Sequence, residues 1–63
     1  MKLSDLKPGD KFHMANLEYF KEDIFEYQRF DGRFHWYLLT STNYPIQHRE
    51  YRNKTVIPIP ILN

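Results

Sequence analysis

The sequence contains no cysteine, only two glycines, and no long uninterrupted run of apolar residues. Without cysteine there is neither a disulfide framework nor a thiolate metal site, so packing alone has to hold the core together. Charged residues interrupt the N-terminal stretch MKLSDLKPGD, a pattern that predicts neither a signal peptide nor a membrane span. We therefore expect a soluble, cytoplasmic protein.

Aromatic residues are what this short chain has in abundance. Its 63 residues predict one domain, residues 1–63, with no room for a second. A chain of this size buries only about 60% of its unfolded surface, so its stability is marginal. Five Phe, five Tyr and one Trp supply the burial, because each ring can bury roughly 150–250 Å².

The net charge of +1 is unevenly distributed along the chain. Residues 1–32 contain five bases and seven acids, whereas residues 33–63 contain four bases and one acid. Folding can bring the two halves together and neutralise them, which is the outcome we expect. The alternative is a basic face that survives folding and attracts an anionic partner.

Proline and glycine predict the positions of two chain features. LKPGDKF places Pro8 and Gly9 at the centre of a type II turn, and a strand, Lys11–Ala15, should follow it. VIPIPIL alternates like a strand, although its two prolines lack backbone N–H groups. Because Pro58 and Pro60 are two residues apart, both gaps fall on one side, which predicts an edge strand.

The clearest local pattern is a hairpin, IFEYQRF-DG-RFHWYLLT, from Ile24 to Thr40. Asp31-Gly32 is typical of a two-residue type I′ loop. That loop would pair Tyr27 with Trp36 and sort the side chains almost cleanly between two faces. The predicted inner face holds Phe25, Tyr27, Phe34, Trp36 and Leu38, and the predicted outer face holds Glu26, Gln28, Arg33, His35 and Tyr37.

The remaining segments add shorter elements. Leu17–Phe20 fits a strand or one helical turn, with the strand preferred, and STNYPIQ is typical of a loop. His48–Arg52 fits a short polar strand. Leu3 and Leu6 should fold back over one end of the core. Five or six short strands without a convincing helix predict an all-β fold, a small antiparallel barrel.

The opening DLKPGDKF, the tyrosine in EYFK, the long central hairpin and the hydrophobic β-ending tail resemble small SH3-like β-barrel proteins, particularly short ones encoded by bacteriophages. The resemblance implies an SH3-like barrel. It carries over no functional residues, because that family shares no single activity.

No pattern in the sequence predicts catalysis. Three histidines (His13, His35, His48) and several carboxylates are present, yet their spacing matches no metal or phosphate-binding motif. We therefore expect a non-enzymatic protein without catalytic residues, metal or cofactor.

Binding through surface rings is the predicted function. Tyr19, Phe20, Phe30, Tyr37, Tyr44 and Tyr51 cannot all point inward, and interfaces favour Tyr and Arg. A protein-binding module follows, with a host protein as partner if the phage resemblance holds, or a second copy of the chain. The alternative is binding of single-stranded nucleic acid by rings beside Lys and Arg. The predicted contact residues are Arg33, His35, Tyr37, Tyr44, Arg49, Tyr51 and Arg52.

Overall fold

A computed structural model describes residues 1–15 and 23–60 of the chain. Within them, five antiparallel strands form one sheet with the order β4-β3-β2-β1-β5, which confirms the all-β prediction. The predicted strand at Leu17–Phe20 lies outside the described residues. A short 3-10 turn, Leu3–Asp5, precedes the strands β1 (Lys11–Met14), β2 (Phe25–Phe30), β3 (His35–Leu39), β4 (Ile46–Glu50) and β5 (Val56–Ile59). The described residues include no helix with the length and apolar character needed to cross a membrane.

The turn before β1 forms as predicted. The backbone N–H of Asp10 donates to the carbonyl of Lys7 at 3.0 Å, and Gly9 has a φ of 94°. A type II turn requires a positive φ at this position, which glycine adopts without steric cost. The turn is fixed to β2, because Gly9 N–H donates to the Tyr27 carbonyl and Tyr27 N–H donates to the Asp10 carbonyl, both at 2.8 Å.

The C-terminal strand lies at one end of the sheet, as its prolines predict. β5 pairs with β1, with Pro58 opposite Phe12 and Ile57 opposite His13. The other outer strand is β4, and no pairing joins β4 to β5 within the part of the chain that is described. There the sheet is not closed into a barrel.

The N-terminal segment covers one face of the sheet, because Leu3 and Leu6 belong to the same buried cluster as residues of the strands. The core consists of Leu3, Leu6, Phe12, Met14, Phe25, Tyr27, Tyr37 and Val56, with Leu39 packed against it.

Three rings occupy the centre of this core. Phe12 stacks on Phe25 with ring centroids 5.6 Å apart, and Tyr37 meets them edge-on at 5.6 and 5.3 Å. Leu3 and Leu6 close one end, which confirms their predicted position. Edge-to-face contacts of this kind add stability beyond the area that the rings bury.

The hairpin register differs from the prediction, because Tyr27 lies opposite Tyr37 rather than Trp36. The turn lies one residue further along the chain than predicted: the N–H of Asp31 donates to the carbonyl of Phe34 at 3.0 Å, so these two residues flank Gly32 and Arg33. A type I′ loop would need a positive φ at Asp31, and no described residue other than glycine has one.

The bulge between Tyr27 and Arg29 shifts the pairing by one residue and so reverses the faces of β3 relative to Phe25 and Tyr27. His35 and Tyr37 are buried, whereas Phe34, Trp36 and Leu38 are only partly covered. The predicted inner face is therefore wrong for β3 and right for Phe25 and Tyr27 on β2. The bulge adds one residue to β2 and places Phe30 opposite His35.

β4 begins and ends earlier than predicted. It covers Ile46–Glu50 rather than His48–Arg52, so the last two residues of the predicted STNYPIQ loop belong to the strand. The Glu50 carboxylate accepts a hydrogen bond from the backbone N–H of Arg52 at 3.0 Å. Side chains that bond to backbone two residues on favour a turn, which explains why the strand stops at Glu50.

Candidate interaction surface

Arginines stack on aromatic rings along the outer side of β2, β3 and β4. The guanidinium of Arg29 lies 5.1 Å and that of Arg49 lies 5.9 Å from the centroid of the Trp36 ring. The Phe34 ring is approached by Arg49 at 4.7 Å and by Arg33 at 5.3 Å. We call the set Arg29, Arg33, Phe34, Trp36 and Arg49 the arginine–aromatic face.

Strand register creates this arrangement. Trp36 on β3 lies opposite Arg29 on β2 and opposite Arg49 on β4. Directly opposed side chains in a sheet are close enough to interact. The central tryptophan therefore has an arginine from each neighbouring strand beside it.

Asp31 fixes the geometry of the turn that carries Phe34. Its carboxylate accepts hydrogen bonds from the backbone N–H groups of Phe34 at 2.7 Å and Arg33 at 2.9 Å. The indole N–H of Trp36 donates to the other oxygen at 2.7 Å. These bonds, that of Phe34 first, lower the pKa of the Asp31 carboxyl to about 2. Both oxygens are thus engaged, and the carboxylate forms no salt bridge with the arginines of the face.

No carboxylate forms a salt bridge with the guanidinium groups of the face in the part of the chain that is described, where the salt bridge found joins Lys54 to Glu50 at 3.5 Å. Arg29 does interact electrostatically with the Asp31 carboxylate. Arg29, Arg33 and Arg49 are all exposed. Three accessible guanidinium groups therefore lie on one face, with one carboxylate among them.

The predicted contact residues separate into three groups, and Tyr44 lies apart from all of them. Arg33 and Arg49 belong to the arginine–aromatic face. Tyr51 and Arg52 follow β4 at the same end of the sheet, where the guanidinium of Arg52 lies 5.5 Å from the Tyr51 ring centroid. Tyr44 precedes β4 and lies at the opposite end, with 83% of its surface exposed.

His35 and Tyr37 form the third group, and their predicted outer position is wrong. They are 5% and 2% exposed, respectively. The one-residue shift of register turns both side chains inward, so neither offers a surface to a partner. The prediction that some rings remain outside is confirmed by Phe30, Tyr44 and Tyr51. Tyr19 and Phe20 lie outside the described residues.

The sequence reading missed Arg29, Phe34 and Trp36 as surface residues. An unbulged hairpin with its turn at Asp31-Gly32 pairs Tyr27 with Trp36 and so predicts that Phe34 and Trp36 face inward, whereas the bulge between Tyr27 and Arg29 turns them outward. Asp31 is a signal for the position of the turn, since aspartate readily accepts hydrogen bonds from backbone N–H groups two or three residues on. Among residues 1–15 and 23–60, no three His, Asp or Glu side chains cluster as metal ligands would.

Comparison of the chain with models of protein families, with curated proteins and with solved structures gave no match.

Proposed function

We propose that the protein is a non-catalytic binding module that contacts an acidic protein surface through its arginine–aromatic face. The observation that carries the proposal is the stacking of three arginines on Phe34 and Trp36, none of which forms a salt bridge among the described residues. Trp and Arg are the residues that most often dominate binding energy at protein interfaces.

Stacking on a ring favours the binding of a carboxylate by an arginine. The guanidinium group is planar and carries its N–H donors at its edge, so a ring beneath one face leaves those donors available. A carboxylate can then accept two parallel hydrogen bonds. Because the rings already hold the arginines in place, less side-chain entropy is lost on binding.

The proposed fold is a strongly bent, SH3-like sheet. Its support is the return of the last strand, β5, to pair with the first strand, β1, beside a β2-β3-β4 meander. The identification of the partner as a bacterial host protein rests on the resemblance to phage-encoded proteins alone.

Single-stranded nucleic acid is the second candidate. Its support is the same set of stacked arginines, together with the exposed Tyr51 ring beside Arg52. Phosphates would attract the guanidinium groups, and bases stack on accessible ring faces. Protein remains the first candidate, because arginines already lie over Trp36 and Phe34, and a base would have to displace them before it could stack there.

The test uses two double variants with equal change in charge. Arg33→Gln/Arg49→Gln removes two stacked arginines, whereas Lys7→Gln/Lys11→Gln removes two exposed lysines elsewhere. Proteins captured from a bacterial lysate are compared with and without nuclease, and affinity for the main captured protein is then measured. We expect the arginine variant to bind at least about tenfold more weakly and the lysine variant to change less than about twofold.

Two outcomes would contradict the proposal. Equal loss in both double variants would mean that overall charge, not this face, drives binding. Capture that disappears with nuclease, with binding to oligothymidine that weakens steeply between about 50 and about 200 mM salt, would identify the second candidate.

A further inference from the structure

The two outer strands of the sheet differ in what their edges offer to another strand. On β5 the Thr55 carbonyl faces β1, because it accepts a hydrogen bond from the N–H of Ala15 at 3.3 Å. Backbone groups alternate between the two sides of a strand, so Val56 and Pro58 face away from β1. The Val56 N–H already donates to the Met1 carbonyl at 2.8 Å, and Pro58 has no N–H. Within β5, no outward backbone donor is therefore free.

The direction of the backbone groups in β3 follows from the residues at its two ends. The Phe34 carbonyl accepts a hydrogen bond from the N–H of Asp31, which directly follows β2. The Thr40 N–H donates to the carbonyl of Ile24, which directly precedes β2, at 2.8 Å. Because the direction alternates from one residue to the next, the even-numbered residues of β3 face β2 and the odd-numbered residues face β4.

The pairing of β3 with β4 then identifies the free groups of β4. Tyr37 lies directly opposite His48, so the backbone groups of His48 face β3. Those of Gln47 and Arg49 consequently face outward, and each residue has one N–H donor and one C=O acceptor there. In the described part of the chain β4 pairs with β3 alone, and no turn or loop hydrogen bond involves the backbone of Gln47 or Arg49. β4 is thus an open edge.

The side chains of β4 indicate which kind of strand would fit beside it. On the outer face, Arg49 is exposed and forms no salt bridge among the described residues. On the inner face, Ile46 is 50% exposed, and the partly buried His48 ring stacks on Tyr37 with ring centroids 5.6 Å apart. An added strand directs alternate side chains to these two faces. Acidic residues complement the face of Arg49, and apolar residues complement the face of Ile46 and His48.

We propose that an extended acidic segment of the partner protein pairs antiparallel with β4 as an additional strand. Its acidic side chains lie beside Arg49 and its apolar side chains cover Ile46 and His48. This inference rests on the proposed function, since Arg49 belongs to the arginine–aromatic face, and it specifies the form of the partner. In strand addition, main-chain hydrogen bonds supply affinity and alternate side chains supply specificity. The antiparallel direction matches every strand pair of the sheet.

A second copy of the chain complements this edge less well. Antiparallel pairing of two complete β4 strands sets each Arg49 opposite a glutamine, because Gln47 is the other residue of β4 on the outer face. No carboxylate then faces either arginine, and the two like charges lie diagonally next to each other. Like charges on neighbouring strands destabilise the pair.

Methylated peptides test the main-chain hydrogen bonds separately from the side chains. The probe is the capped peptide acetyl-TVEVET-amide, which alternates apolar and acidic residues. When its glutamates lie opposite Gln47 and Arg49, their N–H groups point to β4, whereas the valine N–H groups point away. One matched peptide carries N-methyl groups on both glutamates and another carries them on both valines. A further peptide has lysine in place of each glutamate.

Each peptide is titrated into the complete chain labelled with ¹⁵N. Binding is followed by the amide signals of Gln47 and Arg49 and by the fluorescence of Trp36, the single tryptophan. We expect saturable binding of the parent peptide and of the valine-methylated peptide. Methylation of the glutamates removes the donors that face β4, and lysine reverses the charge beside Arg49, so each change should weaken binding by at least about tenfold.

Matched protein variants locate the bound strand. Arg49→Gln should weaken binding of the parent peptide about fivefold. Lys11→Gln removes an exposed charge on β1 and should change affinity less than about twofold. Absence of saturable binding, equal binding of the two methylated peptides, equal weakening by Lys11→Gln, or self-association of the chain through β4 in sedimentation would each overturn strand addition. The proposed function is tested separately, by the Arg33→Gln/Arg49→Gln variant and the captured protein.

Discussion

Two tyrosines provide the sharpest test of the hairpin register. Tyr37 is 2% exposed and packs on Phe12 and Phe25, whereas Tyr44 is 83% exposed. The register predicted from the sequence, without the bulge between Tyr27 and Arg29, would instead have turned Tyr37 outward. The same substitution, tyrosine to alanine, should therefore have very different consequences at the two positions if the observed register is right.

The magnitude follows from the buried area. A large ring buries roughly 150–250 Å², which at about 25 cal/mol per Å² corresponds to about 4–6 kcal/mol as an upper bound. Measured losses for comparable aromatic truncations are about 3–5 kcal/mol. A domain of 63 residues has a total free energy of unfolding of roughly 3–9 kcal/mol. Tyr37→Ala should thus remove a large part of the stability, whereas Tyr44→Ala should change it by about 0.5 kcal/mol or less.

Urea denaturation, followed by far-ultraviolet circular dichroism, measures both variants. We expect a near-normal transition for Tyr44→Ala. Tyr37→Ala should unfold at far lower urea or lack a folded baseline altogether. If Tyr37→Ala lost less than about 1 kcal/mol, or if both variants lost the same amount, the register and the assignment of the β3 faces would be wrong.

Three further predictions concern pH and the turns. The pKa of Asp31 lies at about 2 against an ordinary 3.8. The contribution of its carboxylate to stability should therefore be present above about pH 4 and be lost as the pH falls toward 2. In an acid unfolding titration monitored by fluorescence, Asp31→Asn should flatten the change over this pH range. Because burial lowers the pKa of His35, stability in urea should decline as pH falls below its ordinary value of about 6.5, and His35→Gln should remove that decline. Gly9→Ala should cost about 1–2 kcal/mol in urea denaturation, because φ is positive while a Cβ meets no atom within 4 Å; a much larger loss would mean that the turn is more crowded than observed.

The buried pair Tyr27 and His35 is sensitive to substitution. The two side chains satisfy each other at 2.8 Å, and removal of one partner leaves a buried polar group unpaired.

Local chemistry made several parts of the fold predictable. Pro8 and Gly9 predicted the turn because proline fixes φ and glycine accepts a positive one, and Gly9 has a φ of 94°. The turn also predicted a strand at Lys11–Ala15, which the structure has at Lys11–Met14, and the prolines near the C-terminus predicted an edge strand. Of the arginine–aromatic face, the sequence identified Arg33 and Arg49 as contact residues but not the rings beneath them.

Only the tertiary structure decided which face of β3 points inward. Side chains alternate along a strand, so a shift of one residue in pairing moves every one of them to the other face. The hydrogen bonds that the Asp31 carboxylate accepts from the N–H groups of Arg33 and Phe34 fix the turn, and the bulge between Tyr27 and Arg29 then shifts the pairing by one residue. Pairing of β3 with β4 brings Arg49 beside Trp36. The sequence by itself thus determined the strands and turns whose cause lies within a few residues. The register depends on contacts between strands, so only the tertiary structure decided it. That register places Tyr37 in the core and Trp36 at the surface.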